Sequence, residues 1–175
     1  MNYHAHLTVF GADEYTPHGW KKTDIILEKD NRTQIDTMLT KHYQLGKKGI
    51  HTIQDIIEDA PTSNQLKVTR LKIEQDSDFF LPVTKETYLE IHMLCEGEKK
   101  PKGEWVRSRN PKSLSPEGVP RYFFNMRLYE GNGRGVKSLA NLIQVDLFEQ
   151  GFDYLEFKVE QVVFDSNREM DSWWA

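Results

Sequence analysis

The sequence predicts an α+β protein, internally duplicated, in which two ferredoxin-like halves (residues 1–82 and 83–175) form one compact body. Three observations predict it. Residues about 86 positions apart often correspond, as a unit written twice would require. His6 matches His92, Lys41 matches Arg127, Tyr43 matches Tyr129, and Leu71-Lys72-Ile73-Glu74-Gln75 matches Phe157-Lys158-Val159-Glu160-Gln161. Period-two alternation dominates both units, the signature of half-buried strands. Each unit also holds one stretch of helical spacing near its end, so both read β-β-β-α-β. With a short or eroded helix after the first strand, this order approaches βαββαβ. Helices then cover one face of each antiparallel sheet, and the free faces pair around a cleft or close toward a barrel.

The elements follow in order. Residues 3–10 put Ala5, Leu7 and Val9 on one face and His4, His6 and Thr8 on the other. Residues 11–19 hold Pro17 and two glycines and read as a loop. Ile25-Ile26-Leu27 marks a second strand over 22–28, and 36–43 a weaker third with a helix from Arg32 as competitor. Ile53, Ile56 and Ile57 give 50–59 a helical face, with Thr52 as N-cap and Pro61 beyond its end. Residues 66–75 alternate again, and 76–82 join the halves. In the second unit, 88–95 set Leu89, Ile91 and Met93 against Glu90 and His92, 105–109 form a short strand, and 110–120 a proline-rich loop. An aromatic strand over 121–129, a Gly-rich turn over 130–135, a helix over 136–149 stopped by Gly151 and a last strand over 154–164 complete the repeat. A polar tail carries Trp173 and Trp174, which dock on the body or on a second chain and leave a homodimer open.

Bulk properties narrow the function classes. A chain of 175 residues with 38% hydrophobic and 29% charged content can bury a core as a soluble globular protein. No apolar run approaches the roughly 20 residues a membrane helix needs, so no membrane partner is expected. The opening Met1-Asn2-Tyr3-His4 lacks the basic and apolar regions of a secretory leader. Cys95 is the only cysteine, so no internal disulfide forms and a cytoplasmic location is expected; its apolar setting makes it a packing residue. A net charge of -4 argues against duplex DNA as partner. The basic segment from Lys99 to Lys112 reads as a solvated loop, with a phosphate site as the alternative.

Alternation turns the polar faces into candidate chemistry. If helices cover the apolar faces, the free faces present His4, His6 and Thr8 from one half and Glu90 and His92 from the other. Lys72 and Glu74 pair with Lys158 and Glu160, and Lys41 with Arg127. Histidines that move protons near neutral pH, among cations that neutralise charge, suit a phosphate. The competing reading is a wet strand surface held by ion pairs worth about 0.2–1 kcal/mol each.

His6-Leu7-Thr8-Val9 resembles the His-x-Thr-x motif of the two-histidine phosphoesterases. The resemblance implies two related lobes around a cleft, His6 and His92 as the acid–base pair, Thr8 as a phosphate holder and no metal or other cofactor. The second motif, His92-Met93-Leu94-Cys95, departs from the pattern because Leu94 stands where a hydroxyl should and cannot donate to phosphate. Arg127 or Lys158 would have to replace that donor. Arg70-x-Lys72-x-Glu74 is similar to the channel lining of the triphosphate-tunnel phosphatases, also built from two ferredoxin-like halves, although their opening Glu-x-Glu-x-Lys is absent. The closing Phe164-Asp165-Ser166-Asn167, with Asp171 and Trp173, resembles the ending of certain uncharacterised bacterial and phage proteins, which implies no function.

Other signals are weaker. His4, His6, Glu90 and His92 could share an ion, since His4 and His6 lie about 7 Å apart on one strand face, but no Cys-His zinc spacing is present. Gly131-Asn132-Gly133-Arg134-Gly135 precedes a helix yet lacks the Gly-Lys-Ser/Thr of a phosphate loop. No Gly-x-Ser-x-Gly elbow occurs. Trp20 and Trp105 could stack a base, with core packing as the plainer role. The expectation is therefore a small phosphate-containing ligand (a nucleotide, cyclic nucleotide or RNA end) bound between the halves. Phosphodiester hydrolysis by His6 and His92 is its sharpest form, with Thr8, Lys41, Lys72, Glu74, Glu90, Arg127, Lys158 and Glu160 around the ligand. A non-catalytic anion-binding or protein-binding module is the alternative.

Overall fold

The computed structural model describes residues 1–10, 15–62, 66–76, 82–129 and 133–170. Its strands are β1 (Asn2–Phe10), β2 (Lys21–Lys29), β3 (Arg32–Gln44), β4 (Lys67–Asp76), β5 (Tyr88–Glu96), β6 (Val106–Arg109), β7 (Arg121–Leu128) and β8 (Glu156–Asp165), with helices α1 (Ile53–Asp59) and α2 (Gly133–Glu149). All strand pairings are antiparallel, and the sheet closes in the order β1-β3-β2-β6-β7-β5-β8-β4.

This corrects the α+β, ferredoxin-like expectation: the protein is a mostly β, closed eight-stranded barrel. Each unit does form a four-stranded sheet, β2-β3-β1-β4 and β6-β7-β5-β8. Two open sheets would leave four unpaired edges. Here β4 pairs with β8 from Lys72 to Gln75 and β2 pairs with β6 from Ile26 to Glu28, so each edge strand finds a partner along part of its length. Among the described residues each unit carries a single helix, after its third strand.

Local chemistry explains the elements. β3 is a strand over its whole length, not a helix from Arg32, because β1 and β2 pair along both its edges. α1 begins at a capping box in which the Thr52 hydroxyl accepts from Asp55 N at 3.2 Å and the Asp55 carboxylate accepts from Thr52 N at 2.7 Å. The linker over 77–81, the tip of the Gly-rich turn and Asp171, Trp173 and Trp174 lie outside the described residues.

Alternation decides what faces inward. Ala5, Leu7 and Val9 of β1 point outward and pack with Leu39, Tyr43, Leu71, Ile73 and Ile56 of α1. Ile91, Met93 and Cys95 of β5 do the same with Tyr122, Phe124, Phe152 and Leu147 of α2. Trp20 and Trp105 belong to these two apolar layers, so neither is placed to stack a base. Burial among them pushes the Cys95 thiol up to about 12, which fits a packing role. The apolar layers lie outside the barrel under the helices, and the polar alternates are left to fill its inside.

The β4–β8 seam is stitched by buried charge. Arg70 donates from Nε to Asp165 Oδ1 at 2.9 Å and from Nη2 to Oδ2 at 2.6 Å, and the Tyr88 hydroxyl donates to Oδ2 at 2.6 Å. Leu71 N donates to Ser166 Oγ at 2.8 Å, and Asn167 Nδ2 to Thr69 O at 3.1 Å. The Phe164-Asp165-Ser166-Asn167 ending is thus a clasp. Burial would raise the Asp165 carboxyl, but the Arg70 and Tyr88 hydrogen bonds outweigh it and hold the group below its ordinary value. Asp165→Asn should lower unfolding free energy by about 3–5 kcal/mol at pH 7, read from urea titrations, because Arg70 is left buried without its counter-charge. A depressed folded pKa contributes stability that is complete above the unfolded value of about 3.9 and is lost as pH falls through the folded value. Acid unfolding of the wild type should therefore steepen below about pH 4, and Asp165→Asn should lack that component; equal profiles would contradict the clasp.

Candidate functional site

The barrel encloses a cavity of about 430 Å³. Its two walls differ. One, from the contiguous strands β5, β8, β4 and β1, presents His4, His6, Thr8, Lys72, Glu74, Glu90, His92, Lys158 and Glu160. The other, from β3, β2, β6 and β7, presents Ile25, Leu27, Met38 and Phe123, with Ser108, Asn125 and Arg127 toward the charged side. Leu94 of β5 joins the apolar surface.

The charged wall is a linked set of pairs. Lys72 Nζ lies 2.6 Å from Glu74 Oε1 and 2.6 Å from Glu90 Oε2. Arg127 Nε donates to Glu90 Oε1 at 2.7 Å, and Lys158 Nζ lies 2.6 Å from Glu160 Oε1. Burial would raise the Glu90 carboxyl, yet Lys72 and Arg127 overcome it and hold the group at about 2. Glu74 is likewise held well below the usual range by Lys72 and His6 against the effect of burial. Glu160 goes the other way, raised by burial and by the neighbouring Glu74 charge. His4 is lowered to about 4 by burial and then by His42, whose ring centroid is 4.3 Å away.

Both motif histidines enter this set. His6 Nε2 lies 2.9 Å from Glu74 Oε2 and Nδ1 lies 2.9 Å from Thr40 Oγ1. A carboxylate only accepts, so Nε2 carries a proton; in the neutral ring the Thr40 hydroxyl donates to Nδ1, and in the protonated ring it accepts from it. His92 Nδ1 lies 2.7 Å from Asn125 Oδ1. Asn125 Nδ2 donates to Val106 O at 3.2 Å and to Ser108 Oγ at 2.8 Å, which fixes the amide so that Oδ1 faces the ring. His92 Nδ1 therefore carries a proton, and in the neutral ring Nε2 has the lone pair. That nitrogen is buried without a hydrogen-bond partner, 3.3 Å from Glu160 Oε2 and 3.5 Å from Glu90 Oε2.

Of the residues predicted to surround a ligand, His6, His92, Thr8, Lys72, Glu74, Glu90, Arg127, Lys158 and Glu160 all line the cavity. Lys41 does not. Its ammonium lies outside the barrel, 2.5 Å from Asp59 of α1 and over the Tyr43 ring. The cause is register. His6 faces Thr40 across β1–β3, whereas His92 faces Asn125 across β5–β7, so the third strands correspond one residue short of the spacing that relates β1 to β5. A one-residue slip flips the face. By strand position the counterpart of Arg127 is His42, and Tyr43 and Tyr129 do not correspond either. Thr40, Ser108 and Asn125 went unnoticed for the same reason. In the basic segment, Arg107 Nε is taken by Glu28 at 2.6 Å.

Two groups bring metal-capable atoms within 4.8 Å of one another: His4, His6 and Glu74, and Glu74, His92 and Glu160. Glu74 is common to both, so it replaces Glu90 in the set drawn from the sequence.

Comparison with protein-family models, curated proteins and solved structures finds no match for this chain. No described helix is long and apolar enough to cross a membrane.

Lys72→Met should cost about 3–5 kcal/mol of stability at pH 7, because it takes from the buried Glu74 and Glu90 the ammonium that both contact. In a double-mutant cycle, Lys72→Met with Glu90→Gln should be more stable than the sum of the single losses allows. Simple additivity in urea melts would show that the pair is not coupled.

Proposed function

We propose that the barrel interior binds a small phosphate-containing ligand of the nucleotide class, with the phosphate against β4, β5 and β8 and the apolar body against β2, β3 and β7. The supporting observation is the two-sided cavity: cations, histidines and the carboxylates paired with them on one wall, and Ile25, Leu27, Met38, Leu94 and Phe123, with Asp36, on the other. A phosphate alone has no use for the apolar wall, and a lipid-like ligand has none for the charged one. An eight-stranded barrel has room for one small ligand, which suits a mononucleotide, a cyclic nucleotide or a single-stranded end.

Lys158 is the cation best placed to change partner. Its side chain is 33% exposed, against 5% for Arg127 and 15% for Lys72. Moving from Glu160 to a phosphate oxygen keeps the charge paired, and the raised Glu160 carboxyl can take up a proton in exchange. Binding is the primary reading. Hydrolysis by His6 and His92 is its extension, and it requires that the carboxylates facing both imidazoles first be neutralised, since three anions repel a phosphate.

The test is a thermal-shift series with nucleoside monophosphates, cyclic nucleotides, short single-stranded RNA and the parent nucleosides. Ligand at about 100 times its Kd should add about 2.7 kcal/mol of apparent stability. Phosphorylated ligands should outrank nucleosides, Lys158→Ala should reduce the shift for the former, and Phe123→Ala for both. A silent panel, or a shift indifferent to both substitutions, would contradict the proposal.

A further inference from the structure

We infer that Glu74, His92 and Glu160 form a binding site for one divalent first-row transition ion. The inference stands on these residues; only its consequence for ligand binding rests on the reading above.

The argument begins at His92. Asn125 is buried, and its amide is fixed from both sides by Val106 O and Ser108 Oγ, so it holds the imidazole with Nδ1 protonated and leaves Nε2 as the position that a proton or a metal ion can take. A ligating histidine is usually oriented in this way, by a neighbouring acceptor that takes its second N–H. Nε2 is buried, lacks a hydrogen-bond partner and faces the Oε2 atoms of Glu160 and Glu90 at 3.3 and 3.5 Å. A nitrogen lone pair opposed to carboxylate lone pairs is repulsive, and either a proton on Nε2 or a metal ion between the groups relieves it.

The spacing fits such a cation. Two donors each about 2.1 Å from an ion in tetrahedral array stand about 3.4 Å apart. Glu74 completes the set, since its carboxylate and the donor atoms of His92 and Glu160 lie within 4.8 Å of one another. Both oxygens of Glu90 are held by the cations Lys72 and Arg127, whereas Glu74 gives one oxygen to Lys72 and the other to the His6 ring, so an ion would take the Glu74 oxygen now bonded to His6. One imidazole with two carboxylates suits Zn²⁺ or Mn²⁺ better than Mg²⁺ or Ca²⁺, which prefer all-oxygen shells. The three donors come from β4, β5 and β8, adjacent strands drawn from both units, so the site exists only where the barrel closes.

Charge gives the site a purpose. Among the charged groups that line the cavity, Glu74, Glu90 and Glu160 offset Lys72, Arg127 and Lys158, Arg70 is matched by Asp165, and Asp36 and Glu156 add further negative charge. An incoming phosphate dianion would find no surplus positive charge. One divalent ion supplies that surplus and shields the carboxylates from the ligand.

Titration calorimetry of the full chain, stripped with EDTA, should show one Zn²⁺ or Mn²⁺ bound per chain and weak or no Mg²⁺ binding. Asn125→Leu should weaken binding by roughly 10- to 100-fold, and His92→Ala and Glu160→Gln at least as much, with metal-free melts confirming that each variant is folded. A wild-type measurement needs no substitution: sub-stoichiometric Mn²⁺ should broaden the His92 imidazole resonances before those of His18 and His51. Absence of binding, equal affinity in wild type and variants, or broadening centred away from His92 would overturn the site. Repeating the nucleotide melts with and without metal separates the two proposals. A metal-bound protein deaf to every nucleotide sinks the ligand reading alone, and nucleotide binding unchanged by EDTA in a chain that takes up no metal sinks the metal site alone.

Discussion

The ammonium of Lys72, 2.6 Å from carboxylate oxygens of both Glu74 and Glu90, is the interaction on which the interior depends. Glu74 is on its own strand, whereas Glu90 belongs to the other unit, across β8. Burying a lone carboxylate costs several kcal/mol even after relaxation, by order-of-magnitude reckoning. The two acids stay ionised inside the barrel because Lys72 of the first unit reaches both of them, with Arg127 beside Glu90 and His6 beside Glu74. Closure of the sheet and ionisation of the lumen therefore require each other. An open pair of sheets would leave these groups in water, where their attraction is weak.

The same polar wall shows how the two units have diverged. At matching positions, His4 and His42 of the first unit make an edge-on ring contact, while Glu90 and Arg127 of the second make a 2.7 Å ion pair. Thr40 becomes Asn125, and each fixes a motif histidine through Nδ1, with opposite consequences. Against a neutral ring the threonine hydroxyl donates, which places the proton of His6 on Nε2 beside Glu74, whereas the amide oxygen accepts and places the proton of His92 on Nδ1. Thr8 becomes Leu94, which puts an apolar side chain in place of a hydroxyl on the second unit's side of the cavity. Symmetric scaffolding thus carries an asymmetric site.

Much of this was legible in the residue pattern. Alternation in β1, β4, β5 and β8 correctly separated the outward Leu7 and Ile73 from the inward His6 and Glu74, because a strand buried on one side under a helix must alternate. Barrel closure was not legible: whether β2 meets β6 is a matter of edge pairing, and edges carry no periodicity of their own. Lys41 was misplaced because a fixed repeat spacing cannot register the one-residue slip between β3 and β7. The tautomer of His92 was invisible for a similar reason, since it depends on Asn125, Ser108 and Val106 meeting across β6 and β7.

Closure of the barrel by strands of both units is most directly measured by cross-strand NOEs in a ¹⁵N,¹³C-labelled sample. This structure predicts inter-strand backbone contacts between Gln75 and Gln161 on one seam and between Leu27 and Ser108 on the other, together with slow amide exchange along both. Full contacts within β2-β3-β1-β4 and within β6-β7-β5-β8, with none across either seam, would mean two open sheets and would remove the enclosed, charge-balanced interior.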